Sequence, residues 1–158
     1  MPALSSIVID APPQDVWNVL VDFSSWPDWN TWFSSIRAHS TPLELGTLVT
    51  FTNTMSDTAK PGTYTARITT WHPETTEFAW KGGPLPEWLG WTLRGHHWFK
   101  LVAEDDGKKT LFDHGEDVEG LLSMLVPESM MRDLVKQLDK FNGELKRRVE
   151  EGPKTTEP

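Results

Sequence analysis

Residues 7–30, IVIDAPPQDVWNVLVDFSSWPDWN, run from a strand into a helix and then into a second, shorter helix. Ile7, Val8 and Ile9 form a β-branched run that begins near Leu4, and Ala11-Pro12-Pro13 ends it because proline offers no amide to a ladder. Beyond the prolines, Val16, Trp17, Leu20 and Val21 recur at helical spacing, with Gln14, Asp15 and Asn18 off that face. Asp22 to Ser25 supply capping residues, and Pro27 stands where a first turn tolerates a missing amide. A strand followed by two small helices needs a larger surface to cover, so the fold depends on what comes next.

Next come alternating runs at 34–39, 47–54, 62–71, 76–81, 91–103 and 110–118, separated by turn residues such as His72-Pro73-Glu74 and Asp105-Asp106-Gly107. In the run 62–71, Tyr64, Ala66 and Ile68 alternate with Thr65, Arg67 and Thr69, the pattern of a sheet with one buried face. After Pro127, the residues Met130, Met131, Leu134, Leu138, Phe141, Leu145 and Val149 repeat every three or four positions, which predicts a helix about 36 Å long. The expected architecture is α+β: a curved antiparallel sheet of about seven strands around a long C-terminal helix, with two short helices after the first strand. One domain over residues 1–151 and a flexible tail over 152–158 are expected.

The chain has 158 residues, 37% of them hydrophobic, and a net charge of −8, which disfavours nucleic acid and anionic membranes as partners. It has no cysteine, so thiol chemistry and disulfides are excluded. Residues 1–6 lack the basic stretch and apolar run of a signal peptide, and no later run is long enough to cross a bilayer, so a soluble, cytoplasmic protein is expected. Nine Trp against one Tyr is the unusual number, because indoles serve where broad apolar surface is needed.

Several stretches also resemble a family. Residues 7–30 look like the opening of the START-like SRPBCC superfamily, whose polyketide cyclase/dehydrase and lipid-transport members share a helix-grip fold. Phe78-Ala79-Trp80-Lys81-Gly82 resembles its fifth strand. Residues 95–101, then Thr110-Leu111-Phe112-Asp113-His114-Gly115-Glu116 and Gly120-Leu121-Leu122, resemble its last hairpin. Where many relatives carry Asn-Pro after the tryptophan of the second helix, this chain has Asn30-Thr31-Trp32. The resemblance implies an internal cavity for a hydrophobic small molecule, and it leaves the reaction open.

Alternation places His97, Phe99 and Leu101 on one strand face, and Phe112, His114, Glu116 and Val118 on one face of the neighbour. His97, His114 and Glu116 are therefore the candidate catalytic set: two histidines and a carboxylate in an apolar cavity can exchange protons with a bound molecule. His96, Arg67 and Arg94 should face outward. Candidate ligand-binding residues are Trp17, Trp32, Phe78, Trp80, Trp91, Phe99, Phe112 and Met131, which suit a flat or polycyclic apolar ligand such as a polyketide, terpenoid or sterol. Residues 82–90, with glycines at both ends and Trp88-Leu89 between, read as a hairpin loop or a gate. No cofactor or metal is expected, and the sequence says nothing about oligomeric state. Three functions stay open: a cofactor-free cyclase, dehydratase or isomerase; a carrier of a hydrophobic molecule; and an interaction module resembling the chaperone-activator branch.

Overall fold

The computed structural model describes residues 2–152, so most of the expected tail lies outside the described residues. Seven strands form one antiparallel sheet: β1 (Ala3–Ile9), β2 (Phe33–Ala38), β3 (Leu48–Asn53), β4 (Gly62–His72), β5 (Glu77–Gly83), β6 (Arg94–Glu104) and β7 (Lys109–Glu119). Their order is β1-β7-β6-β5-β4-β3-β2, a meander whose last strand returns to pair with the first. Between β1 and β2 lie α1 (Pro13–Val21), a single 3₁₀ turn (Phe23–Ser25) and α2 (Trp26–Trp29). The last element among the described residues is α3 (Glu128–Glu151). The strand, two-helix, meander, long-helix order agrees with the sequence reading.

Local chemistry explains the boundaries. Pro13 opens α1 and Pro27 sits in the first turn of α2, where no intrahelical partner exists for an amide. Asp105, Asp106 and Gly107 all adopt positive φ, which makes the tight return from β6 to β7. The expected strand at 91–103 starts later, at Arg94, because the Trp91 and Thr92 carbonyls accept from Leu121 and Leu122 and tie two loops together.

The concave face of the sheet holds the core, and α3 closes it by packing along β1, with further contacts to β7, α1 and α2. Its buried stripe is Leu134, Gln137, Leu138, Phe141, Asn142 and Leu145. Two of these six are polar, and Asn142 becomes central to the site. Trp26, Trp32, Phe33, Phe78, Phe99, Phe112 and Phe141 are almost wholly enclosed, so aromatic rings fill one end of the concave face. No helix among the described residues is long and apolar enough to cross a membrane.

Candidate active site

Inward-facing residues along neighbouring strands change from large to small in the same direction. On β6 they run Leu101, Phe99, His97, Gly95; on β5, Phe78, Trp80, Gly82; on β4, Ile68 gives way to Ala66, beyond which Tyr64 stands at the cavity edge. The large residues pack solid, and the small ones leave a cavity of about 160 Å³. Phe51, Asn53, Trp80, His97 and Glu116 form its walls, and Met130 from the start of α3 lies across it. That volume is about what one aromatic ring occupies.

His97 and Glu116 face each other directly across the β6–β7 ladder. His97 Nδ1 lies 3.7 Å from Glu116 Oε2. Glu116 has room to fold inward because its diagonal neighbour on β6, Gly95, lacks a side chain: a methyl group there would collide with Glu116 Oε1. Burial, and secondarily the adjacent Asp117 carboxylate, pushes the Glu116 carboxyl up to about 7, so it carries a proton up to neutral pH. Burial is also the main reason that His97 stays well below the usual histidine range, helped by repulsion from His114 and His96. Burial pulls His114 down to about 3, against the opposing effect of its bond to Asn142. Both rings are therefore neutral at physiological pH.

Behind His97 a chain of bonds runs into the protein. His97 Nε2 and His114 Nε2 are 2.6 Å apart, and His114 Nδ1 lies 2.8 Å from Asn142 Oδ1. Asn142 Nδ2 donates to Ser5 Oγ at 2.8 Å, and Ser5 Oγ donates to Asp139 Oδ1. The 2.6 Å between the two Nε2 atoms is hydrogen-bond distance, so one ring donates to the other.

Of the residues singled out in sequence, His97, Glu116 and Trp80 meet at the cavity wall. His114 is fully buried one layer deeper. Phe78, Phe99 and Phe112 have no exposed surface and sit deeper than the cavity, because parity places a residue on the inner face without saying which end of that face is filled. They build the histidines' apolar surroundings: Phe99 stacks on His97 at 4.5 Å and on His114 at 4.7 Å. Trp32 packs 5.5 Å from His97, its indole N–H donating to the Thr54 carbonyl. Trp17 lies against Trp71 and Phe78, away from the histidines. Met131 packs half-buried on the core while its neighbour Met130 reaches the cavity. Trp91 is 63% exposed and does not line it. His96 faces outward, beside Glu119; Arg67 of β4 pairs on the outer face with Glu87 of the 82–90 loop, whose Trp88 points to solvent.

Asn53 was not legible as a site residue. It lines the cavity, is 6% exposed, and its Oδ1 has no hydrogen-bond partner among the described residues. Its place at the inward-facing end of β3, next to a tyrosine-bearing strand, is the only trace of it in the sequence.

The family model described as polyketide cyclase / dehydrase and lipid transport matches residues 4–150. No curated protein sequence matches the chain. Among solved structures it is similar to a START superfamily protein from Mycobacterium smegmatis, at 16% identity, covering 95% of this chain and 97% of that one, with a TM-score of 0.73. It is similar to the Zhui aromatase/cyclase from Streptomyces sp. R1128, at 16% identity, with 94% and 95% of the two chains covered and a TM-score of 0.68. It is also similar to norcoclaurine synthase from Thalictrum flavum, at 10% identity, with 96% and 94% covered and a TM-score of 0.62. At these identities the likeness concerns the fold.

Proposed function

The chain belongs to the polyketide cyclase/dehydrase and lipid transport family, and from that premise we propose that it carries out cofactor-free proton transfer on a small hydroxylated or keto-bearing aromatic molecule held in the cavity. The observation that carries this reading is the pair at the cavity wall: a neutral imidazole nitrogen 3.7 Å from a carboxyl that holds its proton to about pH 7. A base and an acid side by side, both uncharged, suit enolisation of a carbonyl compound. His97 Nδ1 takes the proton from the carbon next to the carbonyl, the electron pair moves to the oxygen, and that oxygen takes the Glu116 proton. The carboxylate left behind then stabilises the new imidazolium. An enol so formed closes a ring on a second carbonyl or expels a neighbouring hydroxyl as water. Cyclisation, dehydration and isomerisation share that first step.

The ligand's character follows from the walls. Phe51 and Trp80 offer flat apolar surface, and the Asn53 amide beside them is a polar group at the wall that suits a hydroxyl on the ligand. A volume near 160 Å³ holds one ring, so a larger polyketide would seat one ring and project the rest through the mouth.

The test uses 2-tetralone, a bicyclic ketone, in deuterated water. Proton NMR follows loss of its α-proton signals, and quenching of tryptophan fluorescence follows binding. Exchange in the presence of protein should exceed buffer by at least about 100-fold, the low end of what a positioned acid or base contributes. Glu116→Gln and His97→Gln should bring it to background while binding persists. Binding without faster exchange in the unaltered protein would mean a carrier and overturn the catalytic reading.

A further inference from the structure

We propose that Ser5, Asn142 and Asp139 are positioning residues that lock both buried histidines into single tautomers, so that the bare Nδ1 lone pair of His97 always faces the cavity. The inference deepens the proposed role of His97 as the base, and rests on that reading only for its consequence in catalysis. Each step of the ordering follows from what the neighbouring atom is able to donate.

Asp139, on the exposed side of α3, is a carboxylate and accepts only. Ser5 Oγ must therefore give it the hydroxyl proton, which leaves the serine oxygen as an acceptor toward Asn142. The amide can meet that need only with its NH₂, so its Oδ1 is turned to His114. Facing a carbonyl oxygen, His114 Nδ1 must carry hydrogen, and a neutral ring with hydrogen on Nδ1 has a bare Nε2. His97 Nε2, 2.6 Å away, must then be the donor, and His97 Nδ1 is the atom left without hydrogen. Five side chains from β1, β6, β7 and α3 thus point every donor the same way, from the cavity toward Asp139. Ser5 stands directly opposite His114 in the β1–β7 register, which is why so short a side chain reaches the amide. Ser5, Asn142, His97 and His114 are all under 10% exposed, so water does not offer competing partners that would scramble the order.

The ordering has a chemical consequence. When His97 Nδ1 accepts a proton from the ligand, the hydrogen on His97 Nε2 is free to move to His114 Nε2. His97 is then neutral again with hydrogen on Nδ1, and His114 is the imidazolium, donating from Nδ1 to Asn142. The positive charge leaves the cavity wall without any proton leaving the pair. An asparagine amide does not pass the proton on, so the chain orients and does not conduct.

Long-range ¹H–¹⁵N spectra of histidine-labelled protein, recorded without ligand, test this directly. The expected spectrum has one neutral species per buried ring: His97 with hydrogen on Nε2, His114 with hydrogen on Nδ1. Asp139→Ala, at an exposed position, frees the serine hydroxyl to turn, and Ser5→Ala removes the anchor of the amide. In both variants a second tautomer should appear in both rings together, and tetralone exchange should fall with the fraction in the working tautomer, about twofold when the two are equal. His97 with hydrogen on Nδ1, mixed tautomers in the unaltered protein, or a single unchanged tautomer in both variants would each overturn the proposal. The spectrum needs no turnover: ordered rings without catalysed exchange would sink the enzymatic reading and leave the ordering standing, and catalysed exchange with disordered rings would do the reverse.

Discussion

Asn53 and Gly95 show how single residues set the character of the cavity. Asn53 keeps an acceptor with no partner among the described residues at a position where burial makes that costly, on the order of 1–3 kcal/mol. Leucine has the same branched skeleton with bulkier methyl ends, which the adjoining cavity accommodates, and no such group. Asn53→Leu should therefore raise stability by about 1 kcal/mol in urea unfolding and at the same time weaken binding of a hydroxylated aromatic such as 2-naphthol about tenfold relative to naphthalene. An affinity ratio unchanged by the substitution would mean that Asn53 does not read the ligand hydroxyl. Gly95 acts by absence. The inward fold of Glu116 occupies the space where any other residue would place its Cβ, so the carboxyl's approach to His97 depends on a glycine that itself carries no chemistry.

Element by element, the histidine-bearing hairpin and α3 differ in how much of their work can be read from sequence. On β6 and β7 a period of two is enough to place His97, His114 and Glu116 on the inner face, because parity needs no knowledge of other strands. Depth along that face was not legible. Whether Phe99 or His97 borders empty space depends on the rings that α1 and α2 bring from elsewhere, and Phe99, Phe112 and Phe78 proved to be core. The stripe of α3 was legible as Leu134, Leu138, Phe141 and Leu145, and Asn142 stands four residues after Leu138 on the same stripe. Its partner Ser5 is 137 residues away, a separation no local pattern reaches. Phe141 is the clearest load on this helix: it is fully buried, 5.0 Å from both Trp26 and His114 and 5.2 Å from Trp29. Phe141→Ala should cost about 3–5 kcal/mol in denaturant unfolding, the range for emptying a large aromatic site. A loss under about 1 kcal/mol would show that α3 is not packed on the aromatic end as described.

At the scale of the whole molecule, the three titratable groups of the site tie stability to pH in opposite directions. The buried histidines bind protons more readily unfolded than folded, so their contribution is present above the ordinary histidine value of 6.5 and drains away as pH falls toward the folded values, about 3 for His114. Glu116 works the other way: the folded chain holds its proton up to about pH 7, whereas an unfolded chain releases it near 4.5. Its favourable contribution is thus complete below 4.5 and lost as pH rises through 7. The net curve should rise from acid pH to about 6.5, where two groups outweigh one, and gain nothing beyond it. Glu116→Gln separates the opposing terms, since glutamine keeps the shape and cannot ionise. The variant and the unaltered protein should differ little at pH 4.5. At pH 8 the variant should be more stable by about 3 kcal/mol, the free energy of holding the carboxyl at about 7 in the folded chain against 4.5 in the unfolded one. Urea unfolding of both proteins at the two pH values measures the difference. An equal gap at pH 4.5 and 8 would place the Glu116 proton elsewhere and remove the acid from the proposed pair, because a carboxyl that ionises at its ordinary value has no proton left to give a ligand at neutral pH.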